Sequence, residues 1–423
     1  MHRAIRLPLS EVKLFYLILL NIFITSAFTL LINSQPLSFF PDEKEYVLLA
    51  DKALQGDFNF DIGRFIRSPL YPLFLAATKF LFGSLWLKAV IGIHILFQAL
   101  ACAGIYFLSK ELFNKQTAVI SALLFSIFIP CFYYIKAISS ETIFQANYIW
   151  LLYFFMLSLK REQIKYVFIT GVLFSLAYLN RSQIGLFAPF MALGYLLNTQ
   201  FTWSKRIRNI AVFALIPIAA TLPWGLANLK LHDLFITSSN GGSWVFIAGN
   251  SNTGYTQFIE QVDINSKKYK DALSLEPSLA REMGDPAIWS KSAKERQAAF
   301  SAYGKKWVKE NPAKFLEIKT KLAVLYFVPG LMKRHHPFMK WLMSFLVSLP
   351  FYMLAYIGIA IAFKKDWRNH LWFVGYLITI FVLMALFVFS SRFRAYGIEA
   401  LYLMYAAVPL SLLLNKFFPN LSR

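Results

Sequence analysis

The chain has 423 residues, of which 57% are hydrophobic, 17% aromatic and only 15% charged, whereas a soluble domain carries about 25% charged residues. That composition excludes a water-soluble globular protein and indicates a polytopic helical membrane protein with repeated apolar runs of bilayer-spanning length. The net charge of +21 does not indicate nucleic acid. The basic residues sit in short loops between apolar runs, where Lys and Arg gather on the cytoplasmic side against anionic lipid, so membrane lipid is the expected partner and nucleic acid is not.

In chain order, Met1 to Ile32 is a basic end followed by a long apolar run with no small-residue cleavage site, read as a retained first helix. Spans are predicted at about 13–33, 86–109, 117–136, 141–159, 165–180, 183–198, 209–229, 341–363, 369–389 and 395–415, about ten crossings, the fifth and sixth short. Cys102 and Cys131 lie within apolar stretches and form neither a disulfide framework nor a zinc spacing.

Two apolar segments, Pro69–Phe82 and Pro312–Pro329, are ambiguous. If neither crosses, the N-terminus with Arg3, Arg6 and Lys13 is cytoplasmic, and so are Lys110/Lys115, Lys160/Arg161/Lys165, Lys205/Arg206/Arg208 and Lys364/Lys365/Arg368. If Pro312–Pro329 crossed alone, the last cluster would move outside. Both segments are therefore expected as helices on the outer face. The predicted organisation is an N-terminal transmembrane module, 1–229, whose first external loop, 34–85, is catalytic. An external loop or cap, 230–311, follows, and then a C-terminal part, 312–423, with a juxtamembrane helix and further spans. The cap opens on a turn-rich stretch, Ser238 to Ser243 and Gly249 to Gly254, and continues with helical periodicity in Pro286–Lys309.

With this topology ionisable residues from distant parts of the chain meet on the external side: Asp42 and Glu43; Arg64 and Arg67; Lys136 and Glu141; Arg181; Lys333, Arg334, His335 and His336; Arg392 and Arg394. Charges near a membrane core are costly and usually functional, and so many external arginines oppose the positive-inside trend, so an anionic partner is expected. Transfer from a lipid-linked phosphate fits. Arginine grips phosphate through paired hydrogen bonds and stabilises charge growing on the leaving group. A carboxylate such as Asp42 takes the acceptor hydroxyl's proton, and Glu43 beside it is a candidate to tune it, orient it or hold a divalent metal.

The motifs then become familiar. Pro41-Asp42-Glu43-Lys44-Glu45-Tyr46, followed by Arg67-Ser68-Pro69-Leu70-Tyr71-Pro72-Leu73, resembles the first external loop of the GT-C glycosyltransferases, in the branch of protein O-mannosyltransferases and lipid A aminoarabinose transferases. Ser139-Ser140-Glu141-Thr142 looks like that family's second acidic site. Gly171 to Arg181 resembles its Gly-Leu…Arg helix, Leu222-Pro223-Trp224 with Asn228 its Pro-Trp…Asn signature, and Arg392-Phe393-Arg394 its late Arg-Tyr-Arg element. Ala227 stands where the family's arginine usually precedes the asparagine, and Tyr396-Gly397 where proline often follows the late motif.

The resemblance implies an all-α GT-C-like bundle, a polyprenyl-phosphate sugar as donor, an inverting displacement and an extracytoplasmic site in a bacterial inner membrane. The acceptor is open among glycan, lipid and protein. The candidate catalytic residues are Asp42, Glu43 and Glu141; the candidate substrate-binding residues are Tyr46, Arg67, Arg181, His335, His336, Arg392 and Arg394. A transporter or flippase would place its polar groups near the bilayer midplane with broken helices. A polysaccharide polymerase or ligase would carry its catalytic groups in one large late loop.

Overall fold

A computed structural model of the chain describes residues 12–32, 35–37, 41–258, 275–331, 333, 336–387 and 391–417. Among them every regular element is helical apart from one isolated bridge, Asp61 to Ile66. Helix α1 (Leu14–Leu31) is followed by α2 (Pro41–Leu54), which opens on a proline with Asp42 and Glu43 in its first turn. Proline at the first position and acids near the N-terminus both favour a helix start. Helix α3 (Leu70–Phe82) runs through a short 3-10 turn into α4 (Trp86–Leu112). Then come α5 (Lys115–Ile127), α6 (Glu141–Lys160), α7 (Ile164–Asn180), α8 (Ala188–Leu196) and α9 (Trp203–His232). The cap region holds α10 (Gly242–Gly249), α11 (Asn252–Phe258), α12 (Leu275–Met283) and α13 (Ala293–Glu310), the last closed by a capping box between Ser292 and Glu295. Helices α14 (Pro312–Phe327), α15 (Phe338–Leu386), α16 (Ser391–Arg394) and α17 (Ala400–Phe417) complete the chain.

Six helical stretches among the described residues are long and apolar enough to cross a membrane: α1, α3 with α4, α6, α9, α15, and Arg392–Phe417. Helix α15 breaks at Asp366 (φ −157°, ψ 75°) and so supplies two of the expected spans. The shorter apolar helices α5, α7 and Ser182–Leu196 occupy three more, so every expected span falls on a helix. One departs from its expected extent. The span read at 117–136 leaves the helix at Ile127, passes a 3-10 turn at Ile129–Cys131 that contains Pro130, and runs irregularly to Ser140. Proline has no N–H to continue a helix. The exposed backbone of this stretch is answered by side chains instead: the Tyr134 N–H donates to the Tyr396 hydroxyl and the Ile138 N–H to Glu43.

One continuous apolar core joins α4, α5, α6, α7, α15 and α17. Crossings are close where side chains are small: a Cβ on Gly358 in α15 would lie 1.9 Å from the Tyr405 carbonyl oxygen in α17. The loops at one end of the bundle are tied by ion pairs, Glu111 with Lys160 (3.6 Å) and Arg161 (3.5 Å), and Glu162 with Lys205 (2.5 Å). The cap lies at the other end, joined to the first loop by Ser68 with Ser238 (3.0 Å), by Asn240 accepting from the Ile66 N–H, and by Arg296 with Asp61. Helix α14 stays at that end as well. Lys314 and Lys319 near its start reach Asn252 and the Gly249 carbonyl, and the carbonyl of Leu325 near its end meets Arg394.

Candidate functional site

The site forms at the cap end, where the first turn of α2, the start of α6, the residue after α7 and α16 converge. Asp42 sits in the first turn of α2 and Glu141 in that of α6. Arg181 follows α7 in extended backbone (φ −146°, ψ 105°), and Asn180 beside it donates to the Ser140 carbonyl at 3.2 Å, locking the end of α7 to the start of α6. After α16 the chain makes a π-helical turn, Ala395–Glu399, before α17. Such a turn adds a residue to the helical register and is frequent at functional sites. The two arginines before it, two positions apart on α16, point to opposite faces of that helix: Arg392 faces Asp42 and Glu141, and Arg394 faces away from them toward Glu399 in the π turn.

Opposite charges alternate across the site. Arg67 lies 3.2 Å from one Asp42 oxygen and Arg392 3.2 Å from the other; Arg392 lies 3.0 Å from Glu141, and Arg181 2.9 Å from the same Glu141 oxygen. The series extends outward, since Glu45 pairs with both Arg67 and Arg64, and Arg64 lies 3.0 Å from Glu276 at the start of α12. Removing one partner of a buried pair leaves an uncompensated charge, so each member holds its neighbours in place. Tyr46 supports the middle: its hydroxyl meets Ser140 and Arg67 at 3.4 Å each, and the Arg67 guanidinium lies 4.9 Å from its ring centre.

Exposure separates the two acids. The Glu141 side chain is 3% exposed and Asp42 27%, and Asp42 lines a cavity of about 780 Å³ together with Arg64, Arg67, Arg181 and Arg392. Burial alone would raise the Asp42 carboxyl, but Arg67 and Arg392, with Arg64 farther off, hold it well below the usual carboxylate range. Arg392 also lines a second cavity of about 300 Å³, walled by Ile129, Pro130, Met343 and Val347 and edged by Lys340 and His336.

The remaining sequence candidates lie elsewhere. Glu43 is fully buried and accepts the Ile138 N–H at 2.6 Å, pinning α2 to the irregular stretch that leads into α6. Arg394 is buried and donates to Glu399 (3.0 Å) and to the carbonyls of Leu325 (2.9 Å), Val328 and Gly330. It therefore clamps the turn after α14 instead of joining the Asp42 cluster. Gly330 can offer its carbonyl there because its φ of +80° suits glycine, and a Cβ would meet the Phe345 N–H at 2.8 Å. His336 edges the smaller cavity; His335, like Arg334, lies outside the described residues. A divalent metal does not fit the carboxylates present: Asp42 and Glu141 carry arginines and Glu43 a backbone N–H, and no three of His, Cys, Asp or Glu come together among the described residues.

Sequence reasoning counted Arg64 among the external arginines and quoted Glu45, Ser140 and Asn180 within motifs, but named none of them as a site residue, and it passed over Glu276. Glu45 lies one helical turn beyond Asp42, and Arg64 is three residues before Arg67, so spacing carried a signal for those two. Nothing local marks Glu276, whose partner lies more than two hundred residues away.

Residues 67–224 match the family of dolichyl-phosphate-mannose-protein mannosyltransferases. That stretch is less than half of the chain; it contains Arg67, Glu141 and Arg181 and ends on Trp224, before Arg392 and after Asp42. Among curated protein sequences none matches. Three solved structures of the oligosaccharyltransferase of Archaeoglobus fulgidus share the fold. The apo form gives a TM-score of 0.59 at 16% identity, covering 97% of this chain and 51% of that one. The form with an inhibitory peptide and a dolichol-phosphate gives 0.55 at 16%, covering 95% and 50%. The form with Zn and sulfate gives 0.56 at 15%, covering 96% and 50%. The chain thus spans about half the length of these proteins. The resemblance to GT-C glycosyltransferases read from the motifs is borne out by the family match and by the shared fold.

Proposed function

We propose that this chain is a membrane glycosyltransferase that moves a sugar from a polyprenyl-phosphate carrier to an acceptor hydroxyl on the outer face of a bacterial inner membrane. The observation that carries the reading is Asp42, open to the large cavity and held on both oxygens by arginines from opposite ends of the sequence. The acceptor hydroxyl attacks the anomeric carbon from the face opposite the phosphate, Asp42 takes its proton, and the C–O bond to phosphate breaks with inversion. Arg392, shared by both cavities, and Arg67 stabilise the charge that grows on the departing phosphate. The carrier's chain lies in the smaller apolar cavity, whose edge bears Lys340 and His336.

The same arginines explain a feature of the free site. While they grip Asp42 it is a weak base. A phosphate that draws Arg67 and Arg392 toward itself loosens that grip as the donor seats. Glu141, sealed between Arg181 and Arg392, positions Arg392, and no step runs through a metal.

Purified protein is incubated with polyprenyl-phosphate mannose and polyprenyl-phosphate glucose, and mass spectrometry follows released carrier phosphate and modified acceptor. Release that requires an acceptor and is lost in Asp42→Asn is the expected result. Intact donor under every acceptor condition, in protein shown to bind polyprenyl phosphate, would sink the reading.

A further inference from the structure

The large cavity has two unlike sides. Its floor is the charged series from Arg64 to Arg181 with polar neighbours such as Ser182, Gln183 and Ser239, while two stretches of its wall are aliphatic and aromatic. Ile380, Leu383 and Met384 form one wall at spacings of three and four, a single stripe of α15, with Phe387 just past its end. Trp244, Val245 and Ala248 form the facing wall at the same spacing on α10. The α15 stripe belongs to a membrane-spanning stretch, so this slot lies beside the apolar layer. Four arginines (64, 67, 181, 392) and two carboxylates (42, 276) line the floor, and Glu45 and Glu141, off the lining, pair with the same arginines. The floor therefore has little net charge to offer a charged acceptor once donor phosphate engages Arg392 and Arg67.

Resting on the donor placement proposed above, we infer that the acceptor is a membrane amphiphile, a hydroxyl-bearing headgroup on an acyl or prenyl chain, with its headgroup at Asp42 and its chain between α10 and α15. Two apolar slots then meet at Arg392 from its two sides, one for the carrier's chain and one for the acceptor's. A soluble glycan would not use the aliphatic stripe. A peptide would leave its backbone polar groups without partners there, which is costly.

The test uses matched methyl, octyl and dodecyl glycosides of one sugar as acceptors, and a dodecyl glycoside with a diazirine near its chain end as a photoprobe. Each methylene placed in the slot improves KM by up to about fourfold, converted from about 0.8 kcal/mol per buried methylene. The dependence on chain length flattens in Ala248→Leu, which fills the slot, and in Leu383→Ser, which makes it polar. Both variants are compared with wild type in the same detergent, so that micelle partitioning cancels. Photolabelling at Trp244–Ala248 and Ile380–Phe387, competed by dodecyl but not methyl glycoside, supports the assignment. Equal use of methyl and dodecyl glycosides with normal carrier release overturns it and leaves glycosyl transfer standing, as does use of a peptide in place of both. Labelling of these residues by a photoreactive prenyl phosphate, uncompeted by glycoside, overturns it by giving the slot to the donor. Labelling by the glycoside probe without carrier release from any donor overturns the transfer reading while the amphiphile site stands.

Discussion

At the scale of single residues four of the acids near the site divide by what surrounds them. Asp42 reaches the cavity; Glu141 and Glu43 are buried under fixed partners; Glu399 answers Arg394. Asp42→Asn keeps the size and part of the hydrogen bonding but cannot accept a proton. Single-turnover transfer is expected to fall by about a hundred- to ten-thousandfold with donor binding retained. Because its neighbours lower the Asp42 carboxyl, it stabilises the fold fully above its unfolded value of 3.8 and loses that contribution only as pH falls toward the lowered value. An acid limb above about pH 5 in kcat/KM, which reports the free site, would therefore belong to another group. The two late arginines give opposite phenotypes. Arg392→Ala, which removes a charge-assisted contact of about 1.5–3 kcal/mol, should weaken donor use by roughly ten- to a hundredfold. Arg394→Ala leaves buried Glu399 with the Tyr352 hydroxyl but without its cation and should cost about 3–5 kcal/mol of stability, seen as a large fall in the thermal midpoint in detergent. Equal melting of the two variants would contradict this division.

At the scale of elements, two irregularities build the site. The helix that begins at Lys115 stops at Ile127, so residues 128–140 fold back under α2 and deliver Ser140 and Glu141. The π turn at Ala395–Glu399 follows the short helix whose Arg392 and Arg394, on opposite faces, meet different neighbours, and it supplies Glu399 to Arg394. The first irregularity leaves little mark in an apolar profile, because Phe128–Ile138 is mostly apolar. Helices α15 and α17 cross closely at Gly358. Gly358→Ala must push these helices apart, since its Cβ would overlap the Tyr405 carbonyl. Overpacking of this kind costs about 1–3 kcal/mol, so the variant should lose both thermal stability and transfer, while Gly92→Ala, with open space around it, should lose neither.

At the scale of the whole molecule, the charged loops sort to two ends. Glu111, Lys160, Arg161, Glu162 and Lys205 pair at one end, and Asp42, Arg67, Glu141, Arg181 and Arg392 at the other. If α14 does not cross, an even number of crossings separates Arg161, Arg206 and Lys365, and the positive-inside rule predicts that all three are cytoplasmic. Reporter fusions at all three should read cytoplasmic. A periplasmic reading at Lys365 alone would mean that α14 crosses, and would move Arg392 away from Asp42.

Composition and periodicity by themselves determined the helical membrane class, the positions of ten apolar segments and the gathering of charges at one end, because bilayer thickness and the cost of buried charge act on each segment locally. The order of weak motifs added the likeness borne out by the match over residues 67–224. Only the tertiary structure decided which acid faces the cavity, that Glu43 is a backbone anchor, that Arg394 is a clamp, and that Glu45, Arg64 and Glu276 extend the charged series. Those outcomes depend on which helix faces pack together and on partners up to 350 residues apart. A carboxylate reads the same in sequence whether an arginine, a backbone N–H or open space stands in front of it.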